Sequence, residues 1–256
     1  MHPALKVQNL TVHFDGAPAL WDIHLEVPRG KFVGILGPNG AGKSTFIKAL
    51  LGLLKPVSGS VQFFGKTLKT QRGKIAYVPQ REAVDWDFPI TVKELVLMGR
   101  YPKRGLFRWL QKEDVTAADA CLERMGMLEF SKRQISELSG GQQQRVFLAR
   151  ALLQDADMYF LDESLSGVDH VSEEIIIATL QEMKNRGKTI FMVHHDLNNA
   201  EKYFDWILFL NVRLIAFGPK EKVFTPHFMQ EAYGKGFLLY DETARLSQQR
   251  TSGMLS

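Results

Sequence analysis

The sequence contains a single cysteine, Cys121, among its 256 residues. Because a disulfide needs two cysteines, none can form within the chain, and a zinc site built on cysteine pairs is excluded as well. Proteins of the reducing cytosol typically lack disulfides. We therefore expect a protein of the cytoplasm.

Long apolar runs and dense basic blocks are also missing. No apolar run approaches the ~18 to 20 residues that cross a bilayer as a helix, and the N-terminal sequence Met-His-Pro-Ala-Leu-Lys lacks the pattern of a signal peptide. The formal net charge of +4 suits phosphate ligands or an anionic membrane surface. The lack of a lysine and arginine block argues against nucleic acid as a partner. If the protein acts at a membrane, we expect another chain to provide the span.

The chain does show an alternation of strand and helix patterns. Residues 5–27 alternate apolar and polar side chains, which predicts two antiparallel strands. Short apolar runs predict further strands at residues 32–36, 61–64, 75–78, 158–161, 189–193 and 206–210. Helical spacing covers residues 44–54, 91–150 with breaks, 171–186 and 196–203. This alternation predicts an α/β fold with a mainly parallel sheet.

A glycine-rich loop lies between the first of these apolar strands and the helix that follows. It reads Gly37-Pro38-Asn39-Gly40-Ala41-Gly42-Lys43-Ser44-Thr45, a complete phosphate-binding loop. Its glycines let backbone N–H groups turn toward phosphates, and the helix adds its positive N-terminal dipole. We expect Lys43 to reach the β- and γ-phosphates and Ser44 to bind Mg²⁺. The alternative is a flexible glycine turn.

Two acids, Asp162 and Glu163, follow the apolar strand at residues 158–161. The carboxyl end of such a strand borders the crevice in which α/β sheets bind ligands. We expect Asp162 to hold Mg²⁺ and Glu163 to polarise the water that attacks the γ-phosphate. A solvated cap at the end of the strand is the alternative.

The sequence Leu138-Ser139-Gly140-Gly141-Gln142 precedes a helical stretch at residues 142–153. Ser139 can act as a simple helix cap, and the N–H groups of the helix N-terminus can bind a phosphate. One chain does not need two such sites for one nucleotide. This pentapeptide resembles the signature of ABC transporter ATPases, and the resemblance extends over about residues 4–233.

Four further positions resemble landmarks of that family, in the family's order. Phe14 resembles the aromatic residue that stacks on adenine, and Gln80 resembles the Q-loop glutamine. Ser166-Gly167-Val168-Asp169 resembles the D-loop, and His195 resembles the switch histidine. The resemblance implies that Gln80 contacts Mg²⁺ and water, and that His195 contacts the γ-phosphate.

Each of these positions has an alternative interpretation. Gln80 can be an exposed polar residue of a turn, and Trp21 can replace Phe14 as the adenine contact. His194 and His195 can be read as a metal site, although neighbouring residues on a strand face opposite ways.

The resemblance implies a P-loop NTPase with the ABC-ATPase fold. Its parts are a mainly parallel core sheet, an antiparallel β subdomain and an inserted helical subdomain at about residues 82–153, within a domain that spans residues 4–233. Residues 234–256 are expected to form a frayed tail. ATP and Mg²⁺ are the implied cofactors of a head-to-tail homodimer, in which Ser139, Gly140, Gly141, Gln142 and Asp169 of one chain meet the ATP of the other.

One residue departs from the family's pattern. Ser164 stands where the family usually has a proline after the catalytic glutamate. Since proline stiffens a turn, serine can loosen it and shift Glu163. We expect activity to survive, with an altered turnover rate.

Several longer stretches resemble one branch of the family, the ATPases of manganese, zinc and iron chelate importers. They are Trp86-Asp87-Phe88-Pro89-Ile90-Thr91-Val92, Leu97-Met98-Gly99-Arg100-Tyr101, Arg133-Gln134-Ile135, Gly167-Val168-Asp169, Val193-His194-His195-Asp196-Leu197 and Tyr203-Phe204-Asp205-Trp206. The resemblance implies a peripheral subunit on the cytoplasmic face of the inner membrane. It would drive metal uptake through a separate membrane permease, supplied by a periplasmic or lipoprotein metal-binding protein.

Two other functions are compatible with an ABC-type ATPase. Soluble members that act in DNA repair or translation typically carry a long coiled-coil insertion or two cassettes, and this chain has neither feature and no basic stripe. A nucleotide switch that does not hydrolyse ATP is disfavoured by Glu163.

The segment at residues 82–101 carries Trp86, Phe88 and Tyr101 beside Arg100 and Lys103. Aromatic residues and arginine are favoured at the centres of interfaces. We expect a groove for the permease here, and the alternative is that Trp86 and Phe88 fill the core of the helical subdomain.

Overall fold

The computed structural model describes residues 2–14, 16–104, 109–165 and 167–234. Strands within these ranges are β1 (Leu5–Phe14), β2 (Ala17–Val27), β3 (Phe32–Leu36), β4 (Ser58–Phe63), β5 (Ile75–Val78), β6 (Met158–Leu161), β7 (Thr189–Val193), β8 (Trp206–Asn211) and β9 (Arg213–Pro219). Helices are α1 (Lys43–Leu50), α2 (Leu68–Gln71), α3 (Val92–Leu97), α4 (Tyr101–Arg104), α5 (Lys112–Arg124), α6 (Gly140–Gln154), α7 (His170–Asn185), α8 (Leu197–Tyr203), α9 (Lys220–Val223) and α10 (Pro226–Tyr233).

The larger sheet has six strands in the order β5-β6-β7-β3-β8-β9. Every neighbouring pair is parallel except β8 and β9. Every residue of β3, β6 and β7 is buried, which is why these strands are continuous apolar runs. The expected α/β fold with a mainly parallel sheet is confirmed.

Strand β9 was not predicted from the sequence. It lies at the edge of the sheet, antiparallel to β8, and its burial is partial and irregular. An edge strand exposed in this way need not be a continuous apolar run, so the sequence shows little periodic signal for it.

The smaller sheet is antiparallel, with the order β2-β1-β4. The alternating pattern of residues 5–27 correctly predicted β1 and β2. Strand β4 begins at Ser58, three residues before the expected start at residue 61. One apolar core joins this sheet to the larger sheet and α1, with Leu10, Phe46 and Phe191 fully buried in it.

A second apolar core extends from the other face of the large sheet into a helical region. Helices α3, α5 and α6 pack together there around Val96, Leu122 and Val146. This region lies within the predicted helical subdomain at residues 82–153. The boundaries of that subdomain and of the domain at residues 4–233 stay predictions, and residues 235–256 of the expected tail lie outside the described residues.

Two predicted helix bounds were wrong by two or more residues, and others differ by one residue. Helix α6 begins at Gly140 rather than at residue 142, because Ser139 caps it. Helix α1 ends at Leu50 rather than at residue 54. Gly52 takes a left-handed φ of 67° there, and its N–H donates to the carbonyl of Ala49, which closes the helix as a glycine C-terminus commonly does.

In the described ranges we find no helix with the length and apolarity that crossing a membrane requires.

Candidate functional site

The glycine-rich loop runs from the end of β3 to the start of α1. Gly37, Gly40 and Gly42 have φ angles of 156°, 79° and 90°, which favour glycine. A Cβ on Gly37 would lie 2.0 Å from the carbonyl oxygen of Leu210, and a Cβ on Gly42 would lie 2.5 Å from that of Ala19. The loop therefore requires glycine both for its turn and for the close approach of neighbouring backbone.

Lys43 is buried at the first position of α1. Its Nζ donates to the carbonyl oxygens of Gly37 and Pro38, at 2.8 Å and 2.9 Å. Burial lowers the pKa of Lys43, and the negative charges of Glu163 and Asp162 partly oppose this. A cation held in this place, already stripped of most of its water, is a suitable partner for a phosphate group.

Ser44 and Asp162 form the next layer of the site. The Ser44 hydroxyl donates to Asp162 Oδ1 at 2.8 Å, and the Tyr77 hydroxyl donates to Oδ2 at 3.5 Å. Burial raises the pKa of Asp162, while the hydrogen bond from Ser44 opposes the rise. A hydroxyl and a carboxylate side by side are the oxygen ligands that fit Mg²⁺.

Glu163 follows Asp162 and has a left-handed φ of 51°. Gln80 Nε2 donates to Glu163 Oε2 at 2.5 Å, and His195 Nε2 lies 2.9 Å from Glu163 Oε1. The ends of β5, β6 and β7 thus bring together three side chains that are far apart in the sequence. A carboxylate held by two polar partners beside a phosphate-binding loop can orient and deprotonate a water molecule.

These side chains border a single cavity of about 750 Å³. The cavity is lined by Phe14, Ala19, residues 39–45, Gln80, Glu163 and His195. Phe14 is 47 % exposed, as a ring available for stacking must be. Trp21, its rival, instead stacks on His13 with ring centroids 6.1 Å apart and is not part of the lining.

The residues of the pentapeptide lie elsewhere. Ser139 Oγ accepts the N–H of Gln142 at 3.3 Å, and the side chain of Gln142 accepts the N–H of Ser139 at 2.9 Å, so Ser139 is the expected helix cap. A Cβ on Gly141 would lie only 2.6 Å from Asp169 Oδ2. None of Ser139, Gly140, Gly141, Gln142 and Asp169 lines the cavity of the phosphate-binding loop.

Asp169 caps the next helix, α7. It accepts hydrogen bonds from the N–H and the hydroxyl of Ser172, at 2.9 Å and 2.8 Å, and these bonds lower the pKa of Asp169. The starts of α6 and α7 therefore meet at Gly141 and form a second polar surface. Ser166, at the start of the predicted D-loop, lies outside the described residues.

For three residues near the site, the sequence did not determine what the side chain contacts. Tyr77 contacts Asp162, and this contact follows from the pairing of β5 with β6, which the sequence alone does not show. Ser164 is buried, and its hydroxyl has no hydrogen-bond partner among the described residues. His194 is buried beside Tyr203 and Phe204, whereas His195 faces Glu163.

Two of the three aromatic residues of the expected permease groove, Trp86 and Phe88, differ in their surroundings. Trp86 packs on Phe147 of α6 with ring centroids 5.1 Å apart, which agrees with the core alternative. Phe88 is 56 % exposed, which leaves it available to a partner. The side chain of Lys103 lies outside the described residues.

Comparison with known proteins decides the family. The family model described as ABC transporter matches residues 20–166. The chain belongs to the ABC transporter family. The fold class and the family resemblance inferred from the sequence are thereby confirmed, and membership makes this chain a nucleotide-binding ATPase coupled to transport.

Two relatives within the ABC transporter family resemble almost the whole chain. The manganese transport system ATP-binding protein MntB of Bacillus subtilis is 56% identical over 230 residues, which cover 90% of this chain and 92% of that protein. The zinc transport system ATP-binding protein TroB of Treponema pallidum is 52% identical over 231 residues, covering 90% and 87%.

A solved structure of an ABC cassette has the same fold. The dimeric ATP-binding cassette MJ0796, in a post-hydrolysis state bound to ADP and Pi, superposes with a TM-score of 0.75. It is 29% identical to this chain, and the match covers 84% of this chain and 98% of that cassette.

Proposed function

We propose that this chain hydrolyses ATP to power the uptake of a transition metal, manganese, zinc or iron, through a separate membrane permease. The similarity to MntB and TroB supports manganese and zinc as cargo, because it extends over about nine-tenths of the chain. The metal is substrate of the transport system, and it passes through the permease rather than through this subunit.

In the proposed site the phosphate-binding loop holds ATP by its backbone N–H groups. Lys43 turns from the loop carbonyls to the β- and γ-phosphates, and Phe14 stacks on adenine. Ser44, Asp162 and Gln80 would hold Mg²⁺, which would neutralise charge on the phosphates. The 2.8 Å hydrogen bond between Ser44 and Asp162 supports this assignment, since it already places both oxygen donors together.

Glu163 acts as the general base in the proposed hydrolysis. It accepts a proton from water while the water oxygen bonds to the γ-phosphorus and the bond from that phosphorus to the bridging oxygen breaks. Gln80 and His195 hold the Glu163 carboxylate, and His195 then contacts the γ-phosphate. The convergence of these three side chains at the cavity supports the assignment.

ATP is enclosed between two copies of the chain in a head-to-tail homodimer. The position of the pentapeptide supports this arrangement, because Ser139, Gly140, Gly141 and Gln142 do not line the cavity of their own chain. Asp169 lies beside them at the same surface. The dimeric state of MJ0796 is consistent with it.

The proposed setting is the cytoplasmic face of the inner membrane, where the chain binds integral permease subunits. The exposed Phe88 and the neighbouring segment offer a surface for them. A periplasmic or lipoprotein metal-binding protein would deliver the metal on the other side. The ATPase domain spans residues 4–233, with a helical subdomain at about 82–153.

The observation that carries this function is the meeting of Gln80, Glu163 and His195 beside the phosphate-binding loop, in a chain 56% identical to MntB. Cells that lack the chain are complemented with the unaltered chain, Lys43→Ala or the matched surface variant Arg213→Ala. Cellular manganese, zinc and iron are then measured. We expect one metal to fall with Lys43→Ala alone, and unchanged levels of all three would overturn the metal assignment.

A further inference from the structure

Arg81 follows Gln80 at the start of a short 3₁₀ turn, Arg81–Ala83. Gln80 belongs to the chain's own site, because its Nε2 donates to Glu163. Arg81 instead contacts the start of α6. Since consecutive Cα atoms lie only about 3.8 Å apart, neighbouring residues of one short segment contact Glu163 and the start of α6.

The guanidinium of Arg81 lies against the first turn of α6. Its Nε donates to Gln143 Oε1 at 3.1 Å. A Cβ placed on Gly140 would lie 3.3 Å from the guanidinium carbon. Gly140 is the middle residue of the pentapeptide 138–142, so Arg81 contacts the segment that is proposed to close over the partner's ATP.

Both sides of this contact are held in place. Gln143 is buried, and its Nε2 donates to the carbonyl of Ile135 at 3.1 Å, which fixes the orientation of its amide. The carbonyl of Arg81 accepts from Trp86 Nε1 at 2.8 Å, and the guanidinium lies 5.9 Å from the centre of the Trp86 ring. Trp86 in turn packs on Phe147 of α6. A hydrogen-bond acceptor and an aromatic ring therefore hold the Arg81 guanidinium beside the start of α6.

We propose that Arg81 is a positioning residue that sets the pentapeptide of one protomer for the ATP bound by its partner, an assignment that rests on the nucleotide sandwich proposed above. Occupancy of one site moves Gln80, Gln80 moves Arg81, and Arg81 moves the start of α6. The two sites of the dimer are thereby linked through this side chain. Couplings between sites typically change affinity about five- to 150-fold.

The proposal predicts that Arg81 affects the ATP site of the partner and not that of its own protomer, and mixed dimers can test this. Two differently tagged copies are assembled with the permease, and Glu163→Gln silences one site in each assembly. In the first assembly one copy carries both Arg81→Ala and Glu163→Gln, so the active site uses the altered copy's pentapeptide. In the second, Arg81→Ala and Glu163→Gln are on different copies, so the active site uses an intact pentapeptide.

We expect turnover in the first assembly to be about tenfold lower than in the second, with KM for ATP changed by less than about twofold in the second. Both assemblies carry the same two substitutions, so general loss of stability affects them equally. Equal rates, or a slower second assembly, would overturn the role of Arg81 between sites.

Two further measurements complete the test. One distinguishes the hydrogen bond of Arg81 to Gln143 from the charge of Arg81, and the other distinguishes the role of Arg81 from the proposed function. Arg81→Lys keeps the charge but loses the Nε bond to Gln143, and we expect it to slow the first assembly as Arg81→Ala does, while the matched surface variant Arg213→Ala leaves turnover unchanged. Full rescue by lysine would contradict the Gln143 contact. If dimers with Glu163→Gln in both copies still hydrolyse ATP at the normal rate, the proposed base is wrong, irrespective of Arg81.

Discussion

Ser44 donates a hydrogen bond to Oδ1 of Asp162 over 2.8 Å and so joins the first turn of α1 to the end of β6. The two residues are 118 positions apart in the sequence. Their contact places a hydroxyl and a buried carboxylate where a hard divalent cation would bind. Tyr77 donates to the second carboxylate oxygen, which leaves Asp162 oriented from both sides.

Asp162→Asn should remove the effect of Mg²⁺ on nucleotide binding. The amide is neutral and is a weaker ligand for the cation, whereas the phosphate-binding loop is untouched. Without Mg²⁺, we expect the affinity of the variant for ATP to stay within about twofold of that of the unaltered chain. The increase in ATP affinity on adding Mg²⁺ should disappear. Titration calorimetry with and without Mg²⁺ measures both. Asp22→Asn, on the exposed antiparallel sheet, is the control, and a retained Mg²⁺ effect in Asp162→Asn would contradict the assignment.

Glu163→Gln should lower kcat about 10²- to 10⁴-fold, because an amide cannot accept the proton of the attacking water. Nucleotide binding should persist, since the phosphate-binding loop and Lys43 remain. Single-turnover hydrolysis and ATP affinity, measured on the same preparation, separate the two effects. Full turnover by this variant would show that another group is the base.

Parts of the site could be predicted from local sequence, and other parts could not. The turn of the glycine-rich loop follows from Gly37 and Gly42, because no other residue fits beside Leu210 and Ala19. The meeting of Gln80, Glu163 and His195 does not follow from spacing, since it depends on the order of β5, β6 and β7 in the sheet. Only the family resemblance indicated it.

The contacts of Tyr77 and Arg81 could not be predicted from the sequence either. Each depends on how a side chain packs across elements, and neither residue belongs to a recognisable motif. Trp86 and Phe88 illustrate the limit, because two aromatic residues of one segment have opposite environments. Periodicity in a short irregular segment does not determine which side chain is buried.

Ser164→Ala should stabilise the fold. The Ser164 hydroxyl is buried without a hydrogen-bond partner among the described residues, and burying such a group costs free energy. We expect the free energy of unfolding in urea to rise by about 1 kcal/mol. Ser58→Ala is the control, since that hydroxyl is exposed and bonded to Asn9. A loss of stability in Ser164→Ala would mean that the hydroxyl has a partner in solution.

His194 should make the fold less stable in mild acid. Burial lowers the pKa of His194, and the negative charges of Asp196 and Glu173 oppose the effect only in part. The unfolded chain therefore binds a proton at His194 below its ordinary pKa of about 6.5, while the folded chain does not. More protons bound in the unfolded state means that stability falls as pH drops below about 6.5 and levels off below the lowered folded pKa.

The variant His194→Asn isolates this contribution, because it removes the titrating ring. We expect the free energy of unfolding of the unaltered chain, relative to that of the variant, to fall by up to about 1 kcal/mol between pH 7.5 and pH 5.5. Urea unfolding at the two pH values measures it. His227→Asn, at an exposed position on α10, should keep the full pH dependence. If His194→Asn also keeps the full pH dependence, then His194 is charged in the folded protein and water reaches its ring.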